Sequence, residues 1–364
     1  MLELLENEKL DTRNREFEIR EEFKIAHPDI AEKLESNEYS FLYENERLGD
    51  NIALLTLGGS YAYGLNTPSS DLDIRGVALN SKSDLLGLSN FEQFLNRETD
   101  TTIYGMNKFV NLMAQNNPNI VEILYCRPQD YAYISPIGQM LLDNRDIFLS
   151  QKAGASFSGY ALAQIKRIEN ATARDRLPES KKQEHIATGS QSAVDNLSIQ
   201  HDLDKYGEMY FKVDPETNQL LMDCRYQDLP VGEWIDLMNT TKGVLANYDK
   251  TAGNRNHKKD DAHLNKHMSH IIRLLDMGCT ILEHGKVETY REKDKDFLLD
   301  IKNGKYMNED GLFSQELWDY VYKLDEKLKH LKETTTLPKN CDYKKVEELL
   351  ININEKTINN ESNR

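Results

Sequence analysis

The feature that most constrains this chain is the apolar run NIALLTL at residues 51–57. It carries no charge, has the length of a strand and stops at Gly58-Gly59, so it predicts a buried strand entering a turn that only small residues permit. A small-residue stretch, SYAYGLNTPSS, leads to DLDIRGV at residues 71–77. There Asp71, Asp73 and Arg75 alternate with Leu72 and Ile74, the period of a strand with one buried face. The chain is 364 residues long. At roughly 150 residues per domain that is two domains, or one large domain with helical additions.

Around these two strands the pattern is mixed. Residues 1–48 are charged and helical in pattern, with a patchy apolar stripe (Phe17, Ile19, Phe23, Ile25) and a helix restarted at Pro28. They are expected to form a peripheral element. Residues 99–104 are β-branched enough for a third strand, and Ile103, Met106, Val110 and Met113 repeat at helical spacing until Asn117-Pro118. Residues 119–126, NIVEILYC, suit a helical turn or a strand equally. From about Ser135 the pattern is helical. Residues 172–190 are polar, which predicts a mobile insertion. DPETN at 214–218 is a turn between two short strands, and residues 247–259 are expected as a loop. Ala262–His284 is the clearest helix, capped by Asp260 or Asp261 and closed by Gly285. Residues 315–331 predict another helix, and the last twenty residues are expected to fray.

Composition narrows the function. The 61 acidic residues exceed the 45 basic ones for a net charge of −16, which excludes a protein that coats nucleic acid through a uniformly basic surface. Contact through a local basic groove stays open. With 39% hydrophobic residues the chain can build a core. No apolar run approaches the roughly 20 residues of a membrane span. The start of the chain lacks a signal-peptide pattern, and the four cysteines show no paired spacing. A reduced, cytoplasmic protein is therefore expected.

The chemistry concentrates in residues 57–76, LGGSYAYGLNTPSSDLDIRG. Gly59 lets backbone N–H groups approach an anion, and Ser60 adds a hydroxyl at the start of the next short helix. Asp71 and Asp73, about 6.5–7 Å apart at Cα on one strand face, can share divalent ions. Mg²⁺ suits such oxygen donors, and Mn²⁺ is possible. Asp100 is the candidate third carboxylate, with Glu98 its rival on the same face. Arg75 can neutralise the aspartates or meet a phosphate.

This stretch resembles the nucleotidyltransferase superfamily of DNA polymerase beta, whose hallmark is Gly-Ser, a spacer and Asp-x-Asp on a strand. Residues 69–77, 100–125 and 266–287 are similar to the RNA-repair-pathway polymerase-beta group, which includes stand-alone bacterial and phage proteins of this size. The resemblance implies that Asp71, Asp73 and Asp100 ligate metal and that Gly59 and Ser60 hold a triphosphate. It also implies a Lys, His and Arg on one helix. Here Lys266, His270 and Arg273 recur at i, i+4, i+7, a basic ridge toward the triphosphate or, alternatively, a polar face paired with acids. Tyr160, Gln164 and Arg167 make a similar stripe. Tyr61 and Tyr63 flank the turn and suit base stacking or core packing. Arg255, Lys258 and Lys259 are either an RNA grip or a solvated charge run. A zinc cluster from His257, His263, His267 and His270 lacks a completing Cys or Glu.

The expectation is an α+β protein: an N-terminal element (1–48), a palm-like mixed sheet with helices (49–134), a mainly helical domain (135–335) and a polar tail (336–364). The expected activity is transfer of a nucleoside monophosphate from an NTP such as ATP to an acceptor hydroxyl with two Mg²⁺ ions. The acceptor implied by the resemblance is a tRNA-like RNA end. A protein or small-molecule acceptor, or a non-catalytic nucleotide-binding module, are the alternatives.

Overall fold

The computed structural model describes residues 18–176, 178–246 and 261–362. Five strands build the main sheet: β1 (Ile52–Leu57), β2 (Ile74–Ala78), β3 (Gln93–Asn96), β4 (Thr101–Gly105) and β5 (Tyr131–Ile134). Their order is β3-β4-β2-β1-β5. The β2–β4 pair is parallel and the other neighbours are antiparallel, so the sheet is mixed. All six residues of β1 are buried, as an apolar run without alternation requires. Strand β3, absent from the sequence reading, is a short edge strand with alternating exposure. Strand β2 begins at Ile74, three residues later than expected, so Asp71–Asp73 form the loop entering it.

One face of the sheet is covered by the N-terminal helices Glu21–Ala26 and Pro28–Leu34 and the turns after them. Phe23, Leu34, Tyr39 and Leu42 are fully buried there. This corrects the peripheral reading of residues 1–48: widely spaced apolar residues join one core only once the turns between them are folded. His27 ties the segment down through its Nε2, 2.9 Å from Asp130 Oδ1. Phe17 lies outside the described residues. On β2 and β4 packs the Met106–Ala114 helix, and the Tyr343–Ser362 helix packs against that helix in turn. The expected fraying tail is thus a helix with Val346, Leu349, Ile353 and Thr357 buried along one side. Its polar composition describes the other side. Residues 119–126 resolve into a helical turn, Pro118–Val121, followed by a 3₁₀ turn, Glu122–Tyr125.

The chain divides into two compact units. The first comprises the residues up to Leu162, Ser269–Asp300 and those from Trp318 onward; the second is Ala163–Met268 with Ile301–Leu317. The first unit reclaims the C-terminal helices because their apolar sides complete its core. In the second unit, β6 (Gly207–Val213) and β7 (Leu220–Tyr226) pair antiparallel across the DPETN turn. The Asp214 carboxylate closes that turn by accepting from the N–H groups of Glu216 and Thr217, both at 2.9 Å. The expected mobile insertion at 172–190 is instead the end of one helix and most of another, Glu179–His201, which buries Ile186, Ala187 and Val194. The loop expected at 247–259 lies outside the described residues. Among the described residues no helix is long and apolar enough to cross a membrane.

Candidate active site

The site is assembled where β1 ends. Gly58 N–H donates to the Asp73 carbonyl at 2.8 Å, so the acidic loop is stitched to the glycine turn. Gly59 has φ +52°, a conformation that costs other residues about 1–2 kcal/mol. A Cβ there would lie 1.8 Å from Asp73 Oδ2. Glycine is therefore required twice over, for its backbone and to admit the carboxylate. The short helix Gly59–Tyr63 ends at Gly64, φ +71°, where a Cβ would strike the Tyr290 ring at 2.4 Å. The Ser60 hydroxyl is half-buried and makes no hydrogen bond among the described residues.

The parallel register of β2 and β4 pairs Ile74 with Thr101. Asp73 and Asp100, one position earlier on each segment, thus arrive side by side. Arg75 joins them: its Nη2 lies 2.9 Å from Asp73 Oδ1 and 3.4 Å from Asp100 Oδ1, and its Nη1 donates to the Asp100 carbonyl at 2.5 Å. Asp100 has φ +44°, a strained value that aspartate tolerates better than most residues. Asp71 is exposed and makes no ion pair among the described residues. Among those residues no three His, Cys, Asp or Glu side chains stand close enough to hold one ion. The metal ligands expected from the sequence are Asp71, Asp73 and Asp100, and a guanidinium sits between the last two. A position that holds positive charge between hard oxygen donors fits a cation of that class.

Two cavities flank these acids. A smaller one of about 200 Å³ is lined by Gly58, Gly59, Arg75, Tyr63, Tyr104 and Glu122, among others. A larger one of about 580 Å³ includes Asp71, Glu98, Asp100, Tyr61 and Tyr39. Glu98, the rival to Asp100, is exposed and shares that larger cleft.

A family model described as "RNA repair pathway DNA polymerase beta family" (RlaP) matches residues 26–187. This segment is similar to the RlaP family. An uncharacterized 38.9 kDa protein from the nrdC-mobD intergenic region of Enterobacteria phage T4 is 23% identical over 282 residues, covering 68% of this chain and 81% of that protein. The α+β fold with its five-stranded mixed sheet agrees with the polymerase-beta-like nucleotidyltransferase assignment. The matched segment begins at the last residue of the Glu21–Ala26 helix and takes in the Pro28–Leu34 helix.

Beneath the glycine turn of this matched segment lies a buried polar cluster centred on Glu122. Tyr63 Oη donates to Glu122 Oε2 at 2.6 Å, Arg273 Nη1 donates to Glu122 Oε1, and the guanidinium stacks 3.6 Å from the Tyr63 ring centroid. His270 Nδ1 lies 2.9 Å from Arg273 Nη2. Burial pushes the Tyr63 phenol well above its ordinary range; the nearby Arg273 charge opposes that, and Glu122 and Asp73 add to it. Burial alone would lower Arg273, but the Glu122 charge, the Tyr63 phenol and the hydrogen bond to Glu122 together raise it above its ordinary value. Arg273 is 1% exposed, so its charge is spent on Glu122. The expected basic ridge does not form as one surface. His270 is half-buried, and Lys266 is exposed on the part of the helix that belongs to the second unit.

Tyr160 receives a hydrogen bond from Asn117 Nδ2 at 2.8 Å, while Gln164 and Arg167 belong to the second unit. Of the two tyrosines flanking the turn, Tyr63 is the ring beneath Arg273 and Tyr61 packs against the N-terminal core while lining the larger cleft. Arg255, Lys258, Lys259 and His257 lie outside the described residues. Glu122, Tyr39 and Tyr290 were not singled out from sequence. The one signal for Glu122 was an acid interrupting the apolar run NIVEILYC.

Proposed function

We propose that this chain transfers a nucleoside monophosphate from an NTP to the hydroxyl of an RNA end. The observation that carries the reading is the approach of Asp73 to Gly59, with Asp100 brought beside it by the β2–β4 register. The turn residues Gly59 and Ser60 face the β- and γ-phosphates with backbone N–H groups and one open hydroxyl. Arg75 lines the same small cavity, and its guanidinium matches a phosphate geometrically. Asp71, Asp73 and Asp100 would hold two Mg²⁺ ions, with Mn²⁺ as a substitute, to neutralise the triphosphate and acidify the attacking hydroxyl.

In the transfer, the acceptor oxygen forms a bond to the α-phosphorus as the bond to the bridging oxygen breaks. Pyrophosphate leaves, and the acceptor proton passes to Asp100. The deeper Glu122–Arg273 pair holds the Tyr63 ring under the turn and so acts as its positioning support.

Incubation with each labelled NTP, Mg²⁺ and total RNA tests this. Label on RNA supports the proposal. Label on protein moves the acceptor to a protein hydroxyl, and retained NTP binding without label leaves a binding module. Asp71→Asn and Asp73→Asn should each abolish transfer with an unchanged circular dichroism spectrum; a variant that still turns over refutes the assigned roles.

A further inference from the structure

The small cavity beside Gly59 accounts for a triphosphate, but the 580 Å³ cleft on the other side of the acids has no role in that account. Its size falls in the roughly 300–1,000 Å³ typical of small-ligand sites. It is walled by the Pro28–Leu34 helix and Tyr39, by the Ser70–Leu72 loop and by the Arg97–Asp100 turn. Tyr39 is 0% exposed, yet its hydroxyl has no hydrogen-bond partner among the described residues. Leaving a buried hydroxyl unmade costs about 1–3 kcal/mol. Burial, with the negative charges of Glu38, Asp100 and Asp73, pushes its phenol up to about 12. At neutral pH the cleft wall therefore offers an intact O–H group.

The remaining wall selects the ligand. Asp29, Glu38, Asp71, Glu98 and Asp100 outnumber Lys33 and Arg97. Lys33 is itself committed: its Nζ lies 3.5 Å from Glu38 and 5.9 Å from the Tyr39 ring centroid. Asp29, Glu38 and Glu98, the acids of this wall not assigned to metal, favour hydroxyl and amino donors over a polyphosphate. Ile30, Leu72 and Tyr61 supply apolar and aromatic surface. A nucleoside combines a flat ring with sugar hydroxyls. Asp71 and Asp100 line this cleft, so a hydroxyl held there lies at the carboxylates assigned to catalysis. Arg97 is exposed at the same cleft and can meet the one phosphate that joins a terminal nucleoside to its strand.

We propose that this cleft is the acceptor subsite and takes the terminal nucleoside of an RNA strand, with the Tyr39 hydroxyl bonded to it. The inference rests on the transfer reaction proposed above and assigns its second substrate.

The test is binding of a fluorescein-labelled RNA hexanucleotide with a free 3′-hydroxyl to the full chain, followed by anisotropy without NTP. Tyr39→Phe removes only an unpartnered oxygen, so its melting temperature should equal or exceed that of the unaltered chain. Its RNA affinity should fall about three- to tenfold, the span of one hydrogen bond, with ATP affinity unchanged. Arg97→Glu, an exposed change, should also weaken RNA binding. Unaltered RNA affinity in both variants overturns the subsite, as does RNA binding too weak to detect or binding of a serine-containing peptide in its place. If Tyr39→Phe weakens RNA binding but no acceptor is ever labelled, the subsite stands and the transfer reaction fails. If transfer occurs with an unchanged KM for RNA in Tyr39→Phe, the reaction stands and the subsite fails.

Discussion

Two arginine–carboxylate clusters lie near the glycine turn, and they differ chiefly in burial. Outside it, Arg75 joins Asp73 and Asp100 with side-chain exposures of 24%, 17% and 56%. Beneath it, Arg273 joins Glu122 at 1% and 8%. The chemistry is the same and the consequences are opposite. A guanidinium that water can reach exchanges partners at little cost, so Arg75 is free to trade its acids for a phosphate. A fully buried one is a fixed strut, because removing either partner strands a charge. The pair teaches that a basic residue beside a presumed phosphate site is a substrate contact only if no buried acid already holds it.

The comparison breaks most directly at the inner cluster. Arg273→Met should cost about 3–5 kcal/mol in urea unfolding, because Glu122 is left buried and unpaired. Adding Glu122→Leu should recover much of that loss, since a buried pair replaced by apolar groups is often neutral. A double variant as unstable as the single one would show that Arg273 has a role beyond neutralising Glu122.

Gly59→Ala comes next. Positive φ alone costs about 1–2 kcal/mol, and the added methyl would displace Asp73. Stability should fall by at least that amount and transfer should be lost, measured by melting and by the labelled-NTP assay.

The phenols sharpen the contrast through pH. Tyr63 of the inner cluster and Tyr39 near the outer one are both raised by burial. An unfolded phenol ionises near pH 10. The folded chain therefore keeps this contribution below pH 10 and loses it as pH rises toward about 12. Unfolding free energy should decline above pH 10, less steeply in Tyr39→Phe.

The smallest expected effect is on stability in Arg75→Met. It should stay within about 1 kcal/mol of the unaltered chain, while affinity for ATP falls. A stability loss as large as that of Arg273→Met would erase the distinction between the clusters.

Much of the outer cluster was legible before any coordinates. The run NIALLTL and the glycine pair are local signals, and they placed β1 and the turn; the Asp71/Asp73/Arg75 alternation found β2 but began it three residues early. The clearest helix was equally local, from Asp261 to His284 with Gly285 closing it at φ +63°. The inner cluster was not legible. Arg273 lies 151 positions from Glu122, and nothing in a helical i, i+4, i+7 spacing tells a phosphate-facing arginine from one neutralised by a distant acid. The N-terminal helices and the final helix were misjudged for the same reason. Their composition is polar, and only the partner surface reveals which few side chains are buried.

The sequence by itself therefore determined where the buried first strand and the glycine turn stand, because apolar runs and glycines act over a few residues. The tertiary structure alone decided that β2 and β4 run parallel in a register that seats Asp100 beside Asp73, that Arg273 is consumed by Glu122, and that Tyr39 closes a second cleft. Those outcomes depend on burial and charge pairing between segments far apart in the chain, where neither partner carries a mark of the other.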